Sequence, residues 1–138
     1  MKVFLDTNVI IDFCANRAPF CEAAARIIDM GYRGEISLVI SSLTFINVAY
    51  ILRKAFPADL VIRKMEQLTR LCEISPIDET IIKEAVKRRE KDFEDCVQYL
   101  SARQLQTDVI LTRDLTGFNN FPITVQTPDD FLDACYNS

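Results

Sequence analysis

Residues 3–12 read Val-Phe-Leu-Asp-Thr-Asn-Val-Ile-Ile-Asp, and this stretch decides the fold prediction. Its first three residues form a short apolar run, which predicts a buried strand. Apolar residues return at helical spacing over residues 8–15 and predict a helix. The polar triplet Asp6-Thr7-Asn8 lies between the two, at the carboxyl end of the strand.

The same alternation of short apolar runs and helical stretches continues along the chain. Strands are predicted at residues 3–5, 36–40, 73–74, 109–111 and 123–125. Helices are predicted at 8–15, from 19 to about 31, from 41 or 42 to about 54, 60–71, from 78 onward, 94–106 and 128–135. Short, fully apolar strands separated by helices are typical of an α/β fold with a parallel sheet covered on both faces.

The composition excludes several classes of protein. The chain has 138 residues, 49% of them hydrophobic and 26% charged, which is enough for one buried core. It contains no His, so Ser-His-Asp triads, Cys-His pairs and His-ligated zinc are excluded. The formal net charge of −4 is unlike that of a bulk basic nucleic-acid binder, but it leaves a local site open.

Cysteine usage and hydropathy indicate a location. The five cysteines are an odd number without CxxC spacing, which favours buried thiols in a reducing cytosol over a disulfide framework or a zinc ribbon. No signal peptide is recognisable. The longest uncharged stretch, residues 36–52, contains several polar residues and is short for a membrane span. We therefore expect a cytoplasmic protein without a membrane partner.

Acidic residues follow the predicted strands where ligands bind in parallel sheets, outside the carboxyl ends. Asp6 follows the first strand, Ser41-Ser42 the second, and Thr112-Arg113-Asp114 the strand at 109–111. Asp95 lies near the start of the helix that leads into that strand. We expect Asp6, Asp95 and Asp114 to converge on one edge of the sheet.

Converging carboxylates indicate a metal. Without a partner they repel one another and raise their pKa values, and a hard cation relieves this repulsion. Oxygen ligands without His or Cys suit Mg²⁺ or Mn²⁺. Such an ion supports phosphodiester hydrolysis or phosphoryl transfer. The alternative is that these acids are helix caps. Asp78 and Asp95 both look like caps.

Other phosphate chemistries fail on their motifs. The chain contains neither GxxxxGK[ST] nor GxGxxG, so a P-loop and a dinucleotide site are not supported. A haloacid-dehalogenase phosphatase would need a second acid where Asn8 stands, and the acidic pair and late Lys of a receiver domain are not evident.

Three segments, in order, resemble the PIN-domain ribonucleases. Residues 5–12, Leu-Asp-Thr-Asn-Val-Ile-Ile-Asp, resemble the opening of that family. Residues 92–99, Asp-Phe-Glu-Asp-Cys-Val-Gln-Tyr, resemble its later acidic helix start. Residues 109–114, followed by Phe118, resemble its late strand and loop. The order and spacing fit essentially the whole chain.

The resemblance implies a three-layer α/β/α sandwich with a central parallel sheet of four or five strands, in a single domain over residues 1–138. It also implies a ribonuclease that depends on Mg²⁺ or Mn²⁺ and cleaves RNA. Relatives are often the toxin of a type II toxin–antitoxin pair, like VapC. An antitoxin protein is therefore an expected partner, and homodimers are common in the family.

Carried over residue by residue, the resemblance makes Asp6, Asp95 and Asp114 metal ligands. Asn47 completes this catalytic set, on the helix after the second strand. Asp92, one turn before Asp95, either ligates the ion or points to solvent.

The supporting residues follow in the same way. Asn8 and Thr112 would orient the ligands. Asp12 is expected to be an acid on the helix surface.

Two positions depart from the family. Asn47 stands where an acid, usually Glu, is expected. Its setting, Ser-Leu-x-Phe-x-Asn-x-x-Tyr, resembles one branch of small bacterial PIN proteins that carries Asn there, and a neutral amide should weaken ion binding without abolishing it. Its alternative is a buried amide bonded within the core. Gly117 stands where relatives often carry an Asp. Both departures keep open an inactive or weak PIN fold that binds RNA or serves as a scaffold, and a metal-dependent phosphatase acting on small molecules is a third hypothesis.

Basic residues near the acids are candidate RNA contacts. Arg53 ends the helix that bears Asn47, and Arg113 adjoins Asp114, so each could meet RNA phosphates. The basic residues at 87–91 could do the same. Interspersed acids, Glu94 among them, favour a solvated helix face instead.

Overall fold

Strands and helices alternate along residues 1–136, which the computed structural model describes. The strands are β1 (Lys2–Leu5), β2 (Ser37–Ser41), β3 (Cys72–Ser75), β4 (Val109–Leu111) and β5 (Thr124–Gln126). The helices are α1 (Thr7–Cys14), α2 (Cys21–Tyr32), α3 (Ser42–Leu52), α4 (Ala58–Leu71), α5 (Glu79–Arg88), α6 (Phe93–Gln104) and α7 (Pro128–Tyr136). A 3₁₀ turn at Leu115–Phe118 was not predicted.

The five strands form one parallel sheet in the order β3-β2-β1-β4-β5. Strand β1 is central, with Phe4 opposite Val39 of β2 and Ile110 of β4. The prediction of an α/β fold with a parallel sheet is confirmed. Because all strands run the same way, their carboxyl ends share one edge, and β1 delivers Asp6 to the middle of it.

Successive residues of the central strand pack into different layers. Val3 and Leu5 belong to a core formed with α1, α2, α3, α4 and α7. Phe4 belongs to a second core formed with α5 and α6. This alternation is the two-residue period of a strand, and it places helices on both faces of the sheet. The predicted three-layer sandwich is confirmed.

Helix caps decide which acids are available at the sheet edge. Ser41 caps α3 by accepting from the Thr44 N–H, and Asp78 caps α5, as predicted. The cap of α6 is Asp92, whose Oδ1 accepts from the Asp95 N–H at 3.0 Å. The reading of Asp95 as a cap is therefore wrong, because Asp95 lies inside the first turn.

Asp12 is not the surface acid that the sequence indicated. It is 1% exposed, and its carboxylate pairs with the guanidinium groups of Arg17 and Arg113. A charge is buried here because two opposite charges accompany it.

The thiols are not uniformly buried. Cys14, Cys72 and Cys96 are buried, whereas Cys21 is half-buried and Cys135 is exposed. Burial raises the pKa of the Cys14 thiol to about 11 and of the Cys72 thiol to about 12. Over residues 1–136, the structure contains no helix long and apolar enough to span a membrane.

Replacement of Ile110 by Ala tests the packing of the central strands. Ile110 is 0% exposed, so the change should lower the free energy of unfolding by about 2–5 kcal/mol. Ile62 is 65% exposed, and Ile62→Ala should shift it by less than about 0.5 kcal/mol. Urea denaturation measures both. Equal losses for the two variants would contradict this core assignment.

Candidate active site

Asp6 is the fixed point of the acidic edge. It is 8% exposed, and its Oδ1 accepts from the Thr7 N–H at 2.9 Å and from Gln98 Nε2 at 3.1 Å. Its Oδ2 accepts from Thr112 Oγ1 at 2.8 Å and from Asn8 Nδ2 at 3.4 Å. Donors from α1, α6 and the segment after β4 therefore set the orientation of this carboxylate.

Gln98 is a site residue that the sequence reasoning missed. It is 0% exposed, and its Nε2 reaches Asp6, Thr7 Oγ1 at 3.3 Å and Thr44 Oγ1 at 3.2 Å. Its Oε1 accepts from Ser41 Oγ. One side chain thus joins α6 to the ends of β1 and β2. The available signal was a polar residue among the apolar residues of that helix.

Thr112 connects the segment after β4 to Asp6. Its hydroxyl is buried, donates to Asp6, and accepts from Asn8 Nδ2 and from the Asp114 N–H, both at 3.1 Å. Asn8 Oδ1 in turn accepts from the Arg113 N–H at 3.2 Å. The structure brings Asn8 and Thr112 against Asp6, where the sequence reasoning placed them.

Asp95 carries the electrostatic signature of the site. Burial, followed by the carboxylates of Asp92, Asp6 and Asp114, raises its pKa from 3.8 to about 7. Residues from three distant parts of the sequence therefore act on one carboxyl group. Asp114 is exposed, and its Oδ1 accepts from Thr116 Oγ1 at 2.7 Å.

Glu94 is a second residue that the sequence reasoning missed. Its pKa is raised by partial burial and by the carboxylates of Asp6 and Asp92, so it belongs electrostatically to the site. Asn47 Nδ2 donates to Glu94 Oε1 at 3.3 Å. Asn47 is half-buried and is not a core amide. An acid therefore lies beside the position where Asn47 replaces the expected one.

Gly117 lies against the Asp95 side chain. A Cβ built on Gly117 would overlap the Asp95 carboxylate, well inside van der Waals contact. An Asp at position 117 could not coexist with this orientation of Asp95. The second departure from the family is thus coupled to where Asp95 lies.

The two candidate RNA contacts lie in different settings. Arg113 Nε donates to Asp12 Oδ2 at 2.6 Å, and its guanidinium lies 4.0 Å from the centre of the Phe20 ring. The Arg113 guanidinium is thus ion-paired with a buried carboxylate. The Arg53 guanidinium lies 4.5 Å from the ring centre of exposed Tyr50, on the surface.

The donor set fits a hard divalent cation in its chemistry. Oxygen ligands dominate, and the pKa values of Asp95 and Glu94 are raised by burial and then by the neighbouring carboxylates. Within residues 1–136, however, no three acidic or thiol side chains already form a group able to hold a metal ion. The acids affect the pKa of Asp95 but are not arranged as a complete set of metal ligands.

Comparison with known proteins identifies relatives along most of the chain. A family model described as PIN domain matches residues 2–116. Ribonuclease VapC1 of Aquifex aeolicus (strain VF5) is 27% identical over 137 residues, covering 96% of this chain and 94% of the relative.

Solved structures share the fold. A toxin–antitoxin complex from Klebsiella pneumoniae matches with a TM-score of 0.69 and 21% identity, over 91% of this chain and 97% of that one. VapBC-1 from nontypeable Haemophilus influenzae matches with a TM-score of 0.68 and 22% identity, over 94% of this chain and 99% of that one.

The raised pKa of Asp95 predicts a pH dependence of stability in chelator-treated protein. A pKa of about 7, above the ordinary 3.8, means that Asp95 contributes stability fully below about pH 3.8 and loses it as the pH rises through 7. The free energy of unfolding should fall between about pH 4 and 7, and no histidine titrates in this window because the chain contains none.

Chemical denaturation at several pH values measures the slope. Asp95→Asn should flatten it, whereas Asp133→Asn, on an exposed residue of α7, should leave it unchanged. The same slope in Asp95→Asn as in the unaltered chain would refute this assignment.

Proposed function

This chain belongs to the PIN domain family, and from that membership we propose that it is a metal-dependent ribonuclease that hydrolyses RNA phosphodiester bonds. We further propose that it is the toxin of a type II toxin–antitoxin pair. One observation carries the enzymatic proposal: after burial, the carboxylates of Asp92, Asp6 and Asp114, which precede α6, follow β1 and follow β4, together raise the pKa of Asp95. Such convergence at the carboxyl ends of central strands is where an α/β fold places its reaction site.

The proposed ligands are Asp6, Asp95 and Asp114, with Mg²⁺ or Mn²⁺ as the ion. A bound ion of this kind supplies charge stabilisation at a phosphate and lowers the pKa of a water molecule. Asp6 is already oriented by its hydrogen bonds, and Asp114 is exposed to incoming substrate. Asp92 caps α6 and thereby holds the first turn, in which Asp95 lies.

Asn47 and Glu94 would share the role of the expected fourth acid. The amide of Asn47 offers a neutral oxygen, and the neighbouring Glu94 offers negative charge. Together they favour an active enzyme over an inactive scaffold, which remains the alternative because Asn47 is a weaker ligand than a carboxylate. A phosphatase acting on small molecules would differ by hydrolysing a generic phosphomonoester.

RNA is the substrate class favoured by the similarity to Ribonuclease VapC1. Arg53 stays a candidate phosphate contact because its guanidinium lies at the surface. Arg113 is a weaker candidate, since its guanidinium is ion-paired with the buried Asp12 carboxylate.

An antitoxin protein is the proposed partner. Solved structures of the same fold include a toxin–antitoxin complex, VapBC-1, and FitAB bound to a DNA fragment. A homodimer and the cytoplasmic location stay predictions.

Asp6→Asn should abolish RNA cleavage and also lower the stability of the fold, because an amide nitrogen would replace a carboxylate oxygen that accepts two hydrogen bonds. The amide keeps the size of the side chain but removes the charge that would hold the ion, so cleavage of a labelled RNA pool in Mn²⁺ should fall by more than about 100-fold. Asp133→Asn controls for the loss of one exposed acid, and circular dichroism checks the fold. Full activity in Asp6→Asn would refute the proposed site.

The toxin role predicts growth arrest on induced expression in a bacterial host. Viable counts should fall with the unaltered chain and stay normal with Asp6→Asn at equal protein level. Arrest by both proteins would show that the acidic site does not cause the toxicity.

A further inference from the structure

Asp12 is a buried charge shared by two arginines. Its carboxylate lies on α1, and its side chain is 2% exposed. Arg17 Nη2 lies 2.9 Å from Oδ1, and Arg113 contributes Nε to Oδ2 at 2.6 Å and Nη2 to Oδ1 at 3.2 Å. Arg113 also stacks on Phe20, at 4.0 Å from the ring centre.

The two arginines differ in which parts of the chain they connect to Asp12. Arg17 lies five positions after Asp12, just beyond the end of α1, so their pairing is local. Arg113 lies in the segment after β4, between Thr112, which donates to Asp6, and Asp114. Its pairing with Asp12 spans 101 positions and ties that segment to α1.

Residues 112–114 have further polar contacts besides this ion pair. The Thr112 N–H donates to the Gln126 carbonyl at 3.0 Å, and the Thr112 side chain is buried. The Arg113 N–H donates to Asn8 Oδ1 at 3.2 Å, and the Asp114 N–H donates to Thr112 Oγ1 at 3.1 Å. The Asp114 side chain itself is exposed and bonds to Thr116, so its position depends on how the backbone beside it is held.

We propose that Asp12 and Arg113 are positioning residues of the active site: the ion pair clamps residues 112–114 against α1 and so places Asp114 for the metal ion. This inference rests on the proposed function in one respect, that Asp114 is a metal ligand. A planar guanidinium that bridges both carboxylate oxygens and stacks on a ring defines an orientation as well as a distance. Arg113 then serves the site through Asp114 and not by meeting RNA.

Electrostatics and positioning predict opposite signs for the loss of Arg113. Removing a positive charge near a cation site should tighten Mn²⁺ binding by Coulomb attraction alone. Releasing Asp114 should weaken it instead, and the loss of a group that orients a ligand typically costs about 10–100-fold in metal affinity. A weaker affinity therefore cannot come from the charge change.

The test is Mn²⁺ titration by calorimetry, without RNA, of Arg113→Gln and its matched control Arg17→Gln. Each variant leaves Asp12 one arginine partner, so neither strands a buried charge. We expect about tenfold weaker binding in Arg113→Gln and no weakening in Arg17→Gln. Arg113→Lys retains the charge but not the paired donors of the guanidinium, so it should show a smaller loss of affinity in the same direction. This variant replaces Arg113→Gln in the test if Arg113→Gln does not fold.

A double variant tests whether Arg113 acts through Asp114. In Asp114→Asn, which has already lost the ligand, Arg113→Gln should cause no further loss of affinity. Additive losses, equal losses in Arg113→Gln and Arg17→Gln, or unchanged or tighter binding in Arg113→Gln would each overturn the inference while leaving the proposed function in place. Absence of Mn²⁺ binding by the unaltered chain would overturn both.

Discussion

A carboxylate that is only 8% exposed is costly unless its oxygens are hydrogen-bonded, and Asp6 meets this requirement at the carboxyl end of the central strand. The donors come from Thr7, Asn8, Gln98 and Thr112, so one side chain ties β1 to α1, α6 and the end of β4. The rest of the site is arranged around this anion. Its buried, hydrogen-bonded carboxylate has a defined position beside the more exposed acids.

The acids around Asp6 are arranged in degrees of constraint. Asp95 lies in the first turn of α6 against Gly117, and burial and the neighbouring carboxylates raise its pKa. Asp114 is exposed and held through its backbone. The carboxylates lie close enough to raise the pKa of Asp95. Within residues 1–136, however, no three acidic side chains form a group able to hold a metal ion. Repulsion among the carboxylates opposes their closest approach, and a divalent cation would reverse the sign of that interaction.

Patterns within single segments were sufficient to predict the five strands and their parallel arrangement, and with them the positions of Asp6 and Asp114 after strand ends, because strand ends can be read from short apolar runs. The buried state of Asp12 could not be predicted, since one of its partners lies 101 positions away. Gln98 and Glu94 were missed for the same reason: their roles depend on which helix face meets the sheet edge. Gly117 was recognised as a departure, but only the Asp95 contact explains it.

Anomalous diffraction from crystals grown in Mn²⁺ can locate a metal ion among these acids. We expect a manganese peak coordinated by Asp6, Asp95 and Asp114, with oxygen ligands at about 2.0–2.3 Å. The peak should disappear in Asp6→Asn crystals grown under the same conditions. Clear density for all three side chains without a manganese peak between them, or a peak elsewhere on the chain, would show that these acids do not form one metal site.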